Sequence, residues 1–321
     1  MSFWKRLLMA SAAAIVGLAL LPYLIPLPGR QPWPGESPFP NGEMVEACGT
    51  RWHVQVWRAG YFARGRALLV HGLGGSSFSW RLTGPALADA GFDAIAVDLP
   101  PWGYSERRRP EGEVTGCLVE LLDRLGGPDP VVAIGHSMGA SVAAALAERL
   151  RERAFALVLV DGVPGWRRAP GGAFSLVGIP PFSRYAEVFA HWRLLRREAF
   201  ARSLASAYGR APTAEEVDGY LRPLKIAGTA GAVFRFGYYG ARIERLEAPT
   251  LIVWGRRDGW VRPEAAERFR ARFPEARLEW IEEAGHNPME THPREFHDLL
   301  LGFLAKLRER VEAAPEPKPY P

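Results

Sequence analysis

Runs of four or five apolar residues recur along the chain, each closed by a turn rich in glycine, aspartate or proline. They fall at 67–70, 94–97, 131–134, 157–160 and 250–254, with a more mixed run at 277–281. Segments this short, with no polar alternate, predict strands buried on both faces. Stretches of helical period separate them, at about 80–90, 114–125, 140–151 and 293–311. Upstream, 44–48 and 52–57 flank Gly49-Thr50 and predict an antiparallel hairpin. Alternating strands and helices predict an α/β fold, a mostly parallel sheet with helices on both faces.

One region breaks the alternation. Between Asp161 and Glu247 there are only helix signals. Phe182, Tyr185, Val188, Phe189, Trp192 and Leu195 recur at helical spacing, with Arg184, Glu187, Arg193 and Arg196 on the other face. Thr213 and Glu216 form a capping-box pair for a short helix that should end before Pro223. Residues 162–228 are therefore expected to form a helical cap over one end of the sheet. Residues 229–245 should return to the main layer as a sheet-covering helix, so the core comprises 43–161 and 229–312.

The ends differ from this body. After Lys5-Arg6 comes an uncharged, mostly apolar stretch from Leu7 to Pro28. A helix of about 22 residues rising 1.5 Å each would cross a hydrocarbon core of roughly 30 Å. Residues 1–28 read as a membrane anchor or signal segment. No A-x-A-like cleavage site follows, so an uncleaved anchor is preferred to a cleaved signal peptide. The basic residues at the start put the N-terminus in the cytoplasm and the catalytic domain on the extracytoplasmic side, the alternative being a secreted or periplasmic protein after cleavage. Residues 29–42, rich in proline and glycine, read as a semi-rigid spacer, and 313–321 as a disordered tail.

Composition narrows the classes. Of 321 residues, 48% are hydrophobic and 23% charged, with a net charge of +5, as in ordinary globular proteins. No basic run alternates with stacking aromatics, which argues against a nucleic-acid partner. The two cysteines, Cys48 and Cys117, have no metal-ligand spacing; independent thiols are expected, the alternative being one disulfide between them. Neither a metal nor a cofactor is called for.

The chemistry centres on 131–139, VVAIGHSMG, where a strand meets a helix through a glycine-flanked serine. Such a turn holds the Ser137 hydroxyl clear of the sheet and points the first free N–H groups of the helix at whatever the serine attacks. A serine nucleophile needs a base, an acid to orient it and an oxyanion site. Of seven histidines, His286 alone follows a late strand in a glycine-containing loop. For the acid, Asp258 ends the strand at 250–254, and Asp161, after the preceding strand, is its rival. Asp258 is preferred because 28 residues separate it from His286, room for one helix and one strand. Backbone N–H groups of Met138 and Leu73 would form the oxyanion site. His71 reads as a loop brace, Asp98 as structural, and the ring of His136 is expected to point away from the serine.

These motifs together resemble the α/β-hydrolase superfamily: H-G-x-G at His71, Asp98-Leu99-Pro100, G-H-S-M-G, G-x-x-D at Asp258 and G-H-x-P-x-E, with His286 and Glu290, in that order. The match covers about 44–310. Pro101 departs from it, standing where the family often has glycine. The resemblance implies an eight-stranded, mostly parallel sheet with a helical cap, Ser137 as nucleophile, His286 as base and Asp258 as orienting acid. Serine at this position distinguishes the chain from the epoxide hydrolases and haloalkane dehalogenases of the superfamily, whose nucleophile is aspartate. The expected activity is hydrolysis of a small-molecule carboxylic ester. The alternatives are carbon–carbon bond hydrolase, peptidase or perhydrolase chemistry, or a non-catalytic membrane-tethered binding protein. The cap's aromatics are expected to pack it against the sheet. Mixed with Arg184, Arg193, Arg196 and Arg197, and with Trp166, Phe174, Arg167 and Arg168, they would also suit an anionic membrane surface, from which a lipophilic ester could reach Ser137.

Overall fold

The computed structural model describes residues 2–127, 129–165, 177–236, 243 and 245–313. Eight strands form one sheet: β1 (Gly42–Ala47), β2 (Thr50–Trp57), β3 (Arg66–Val70), β4 (Asp93–Val97), β5 (Val131–His136), β6 (Ala154–Val160), β7 (Thr250–Gly255) and β8 (Arg277–Ile281). Their order is β1-β2-β4-β3-β5-β6-β7-β8. The hairpin β1–β2 joins β4 antiparallel, and every pairing from β4 to β8 is parallel. Alternation along each strand divides the core. Leu68, Val70, Ile95, Val97, Ala133 and Leu157 face one helical layer, and Ala67, Leu69, Ala96, Ile134 and Val158 face the other.

The helix at 114–125 begins and ends where its periodicity predicts. The segment at 80–90 does not: a 3₁₀ turn, Ser77–Trp80, precedes the helix Thr83–Asp89. The Ser76 side chain caps that turn, and Asp98 receives the Ser77 N–H, a long-range contact invisible to local periodicity. The helix Met138–Leu150 leaves β5 directly.

The cap region is helical where it is described, with Phe182–Phe189, a π-turn Ala190–Leu194, Arg197–Tyr208 and Ala214–Leu224. Thr213 and Glu216 make the reciprocal capping bonds. That helix does not stop before Pro223; the proline sits in its last turn. The helix from Thr229 is described to Phe236, and the expectation for 237–242 and 244 lies outside the described residues, as do Trp166, Arg167, Arg168 and Phe174.

Two further expectations are corrected. Cys48 and Cys117 are not independent thiols but a disulfide, because the β1–β2 turn packs on the helix Val114–Leu125 and brings the two Cα atoms within 5.5 Å. Residues 29–42 do not stand off as a spacer. Trp33 Nε1 donates to the Tyr104 carbonyl, Gln31 bridges Ile226, and Phe39 packs edge-on against Tyr104. Apolar and aromatic residues within the proline-rich stretch supply this adhesion.

Candidate active site

Ser137 takes φ 52° and ψ −118°, a left-handed-side conformation that a non-glycine residue adopts only when its surroundings impose it. Neighbouring backbone imposes it here. A Cβ on Gly135 would lie 2.2 Å from the Gly139 carbonyl oxygen, and one on Gly139 would lie 2.4 Å from that of Val70. The turn can close only with glycine at both positions, and closing it lifts the serine off the strand end.

Ser137 Oγ is 3.0 Å from His286 Nε2, and His286 Nδ1 is 2.7 Å from Asp258 Oδ2. All three residues are buried. The Asp258 carboxylate can only accept, so Nδ1 carries the proton and Nε2 is free to accept the serine O–H. Asp258 is itself held by the N–H groups of Trp260 (2.7 Å) and Val261 (2.9 Å), both on Oδ1. This arrangement can activate a hydroxyl and stabilise the imidazolium that results.

The rival acid sits in the same place. Asp161 is fully buried, with φ 43°; its Oδ1 accepts the Gly255 N–H at 2.8 Å, and its Oδ2 has no standard hydrogen-bond partner. Burial, then the Asp258 charge, push its carboxyl well above the usual range. One oxygen each of Asp161 and Asp258 and one nitrogen of His286 lie within 4.8 Å of one another, close enough to ligate a cation. A cation there would have to displace the proton between His286 and Asp258.

Ser137 and His286 open into a cavity of about 210 Å³ between core and cap. Leu73, Met138, Phe200, Leu204, Leu224 and Val261 make it largely apolar, and Ser79, Tyr220 and Asn287 add polar atoms. Leu73 and Met138 thus lie at the serine, and as the first residue of its helix Met138 has an N–H without an intrahelical partner. The loop before Leu73 passes so close that a Cβ on Gly72 would be 3.0 Å from Ser137 Cβ.

His71 is a brace, donating from Nδ1 to the Gly72 carbonyl and accepting the Leu99 N–H on Nε2. Asp98 is buried and bonded to His53 Nδ1 at 2.7 Å. Burial works against its charge, but His53 holds its carboxyl below the usual range. His136 does not point away. Its ring lies 4.8 Å from that of His286, and Nε2 donates to the His286 carbonyl at 2.7 Å. Burial and the adjacent His286 hold its pKa well below the usual value, so it is a neutral strut under the loop.

Sequence reasoning missed three neighbours. Trp260, half-exposed, stacks on the His286 ring at 5.6 Å, and its aromatic identity two residues after Asp258 was the available signal. Tyr208 and Tyr220, from the cap, both donate to the buried Glu290 carboxylate, which also binds Arg81 and Asn287. Burial pushes Glu290 up while Arg81 pulls it down, the first prevailing. Glu290 lies within the motif that begins at His286, but its cap partners are 82 and 70 residues away.

A model of a family described as "Alpha/beta hydrolase family" matches residues 67–299. Pimeloyl-[acyl-carrier protein] methyl ester esterase of Cronobacter sakazakii is 30% identical over 257 residues, 76% of this chain and 94% of that one. A 2-hydroxy-6-oxononadienedioate/2-hydroxy-6-oxononatrienedioate hydrolase of Pseudomonas putida is 29% identical over 263 residues, 74% of this chain and 86% of that one. Among solved structures, a membrane phospholipase A described as a bacterial virulence factor superposes with a TM-score of 0.64 at 22% identity. That superposition covers 95% of this chain and 98% of the other, a likeness of fold.

Proposed function

The chain belongs to the alpha/beta hydrolase family, and from that premise we propose that it is a serine hydrolase cleaving a lipophilic carboxylic ester. The observation that carries this reading is the hydrogen-bonded sequence Ser137–His286–Asp258 facing an apolar cavity. Ser137 Oγ attacks the acyl carbonyl carbon as its proton passes to His286 Nε2. Backbone N–H groups of Leu73 and Met138 receive the developing oxyanion. Collapse breaks the bond to the alkoxy oxygen, which takes the proton from His286. Water, deprotonated by the same nitrogen, then releases the acid and restores the serine.

A second reading, hydrolysis of a carbon–carbon bond next to a carbonyl, is favoured by the relative from Pseudomonas putida and the polar atoms of Ser79, Tyr220 and Asn287 at the cavity. The test is labelling of the full chain by a fluorophosphonate, followed by turnover of an acyl-ester series and of a vinylogous diketone. Labelling at Ser137 with ester turnover rising with acyl length is expected. Diketone turnover alone would transfer the proposal to the second reading, and no labelling would overturn both.

We also propose that residues 1–28 anchor the protein, with the catalytic domain on the extracytoplasmic side. The helix Phe3–Leu24 has 22 residues, a mean hydropathy of 2.1 and almost no burial, so it is long and apolar enough to cross a membrane. Lys5 and Arg6 at its start support the orientation. The disulfide suits an oxidising compartment. Flotation of the full chain with vesicles after alkaline washing tests the anchor; loss to the soluble fraction would favour a cleaved, secreted form.

A further inference from the structure

The C-terminal end of the apolar helix is fastened to the cap. Pro22 has no N–H, so the Leu18 carbonyl loses its helical donor, and Tyr185 Oη replaces it at 2.6 Å. Pro26 likewise leaves the Pro22 carbonyl open, and Arg184 Nε donates to it at 3.1 Å while Nη2 donates to Ile25 at 3.0 Å. Trp192 Nε1 reaches the Pro26 carbonyl (2.9 Å) and His191 Nδ1 that of Pro28 (3.1 Å). Four side chains from one cap segment thus satisfy five carbonyls at the point where the chain leaves the helix. In a bilayer interior or boundary, unpaired carbonyls would be costly.

The same segment turns its apolar side outward. The expected packing of its aromatics against the sheet is reversed. Ile179, Phe182, Phe189, Trp192 and Leu194 are 47%, 53%, 59%, 44% and 55% exposed. Glu187, expected on the outer face, is buried, taking the Gly228 N–H at 2.8 Å and pairing with Arg184 and Arg30. An ion-pair cluster under the helix decides the inversion. Arg193 and Arg196, in and just after the π-turn Ala190–Leu194, are exposed and form no ion pair among the described residues.

We propose that this face is a second membrane contact, with the cap helix Phe182–Phe189 and its following turn docking onto an anionic lipid surface beside the anchor. The inference rests on the anchoring reading. Continuity selects the occupant, since the exposed aromatics lie on the segment that grips the emerging anchor, Trp192 doing both. The two exposed arginines choose anionic over zwitterionic lipid. The cap, whose following helices Arg197–Tyr208 and Ala214–Leu224 line the active-site cavity, is thereby held at the bilayer.

The full chain suits a direct test, because Cys48 and Cys117 are bonded to each other and a new cysteine is the single reactive thiol. Phe189→Cys and, as a control, Glu267→Cys on the sheet-covering helix Glu264–Arg272 would each carry a nitroxide in phosphatidylcholine–phosphatidylglycerol vesicles. At 189 the ratio of oxygen to nickel-chelate accessibility should exceed that at 267 by about tenfold, as for a site roughly 5–10 Å below the headgroup boundary against one in water. Arg193→Glu with Arg196→Glu should lower the ratio at 189 in these vesicles and leave it unchanged in pure phosphatidylcholine. Equal ratios at 189 and 267, with the protein still floating with the vesicles, would overturn the docking while sparing the anchor. Shielding of 189 from both reagents with spin–spin broadening would overturn it in favour of a second copy of the chain. Failure to float would overturn the anchor and the docking together, and fluorophosphonate labelling would report separately on the hydrolase reading.

Discussion

Asp161 and Asp258 end neighbouring parallel strands and bring a carboxyl oxygen of each within 4.8 Å of the other and of His286. Only one of them bonds the histidine. Asp258 reaches Nδ1, whereas Asp161 is turned back onto the Gly255 N–H. Two adjacent buried carboxyl groups cannot both ionise cheaply, and burial, with Asp258 beside it, pushes the Asp161 carboxyl well above the usual range.

Asp258→Asn should therefore lower kcat by about four orders of magnitude, because an amide favours the wrong imidazole tautomer. Asp161→Asn should leave kcat within about tenfold, since Asp161 bonds the Gly255 N–H rather than the histidine. Steady-state kinetics of the two variants, purified as full chains, would expose a wrong assignment by reversing this order.

The raised pKa of Asp161 makes a stability prediction with a definite sign. Its contribution is fully present below the unfolded pKa, near 4, and is lost as pH rises through the higher folded value. Asn has no such dependence. The melting temperature of Asp161→Asn relative to the native protein should thus climb from acid to alkaline pH, and a flat difference would show that Asp161 ionises normally.

Ser137→Ala should remove about four to six orders of magnitude in rate while leaving the fold intact, because one hydroxyl is lost from a site shaped by backbone and glycine. Circular dichroism and ester turnover on the same sample check both halves. Retention of more than a few per cent of activity would exclude Ser137 as the nucleophile.

Glu290 joins cap and core through Tyr208, Tyr220 and Arg81, so Glu290→Gln should destabilise by about 3–5 kcal/mol by stranding a largely buried guanidinium. Tyr220→Phe should cost only about 1 kcal/mol. Urea unfolding would separate the two, and equal midpoints would mean the network is slack.

Cys117→Ser opens a loop spanning 69 positions and should cost about 2–5 kcal/mol in unfolding free energy. Thiol titration of the native chain should find no reactive cysteine until a reductant is added.

The sheet and the site were legible in sequence to very different depths. Fully buried parallel strands must be short and apolar throughout, so 131–134 and 250–254 announced themselves, and the glycines around Ser137 are dictated by carbonyl oxygens that any added Cβ would meet at 2.2–2.4 Å. Ser137, His286 and Asp258 could be chosen because chemistry demands certain residue types and topology puts them at strand ends. Local pattern has no access to what distant segments do to one another. It could not show Cys48 meeting Cys117, His136 turning under His286, or the cap tyrosines closing on Glu290. The cap helix is the clearest case. Its periodicity revealed an apolar and a polar side, and ordinary burial would turn the apolar side inward. Only the tertiary structure decided that Glu187 faces in, because Gly228, Arg30 and Arg184 supply there the hydrogen bonds and opposite charges a buried carboxylate requires.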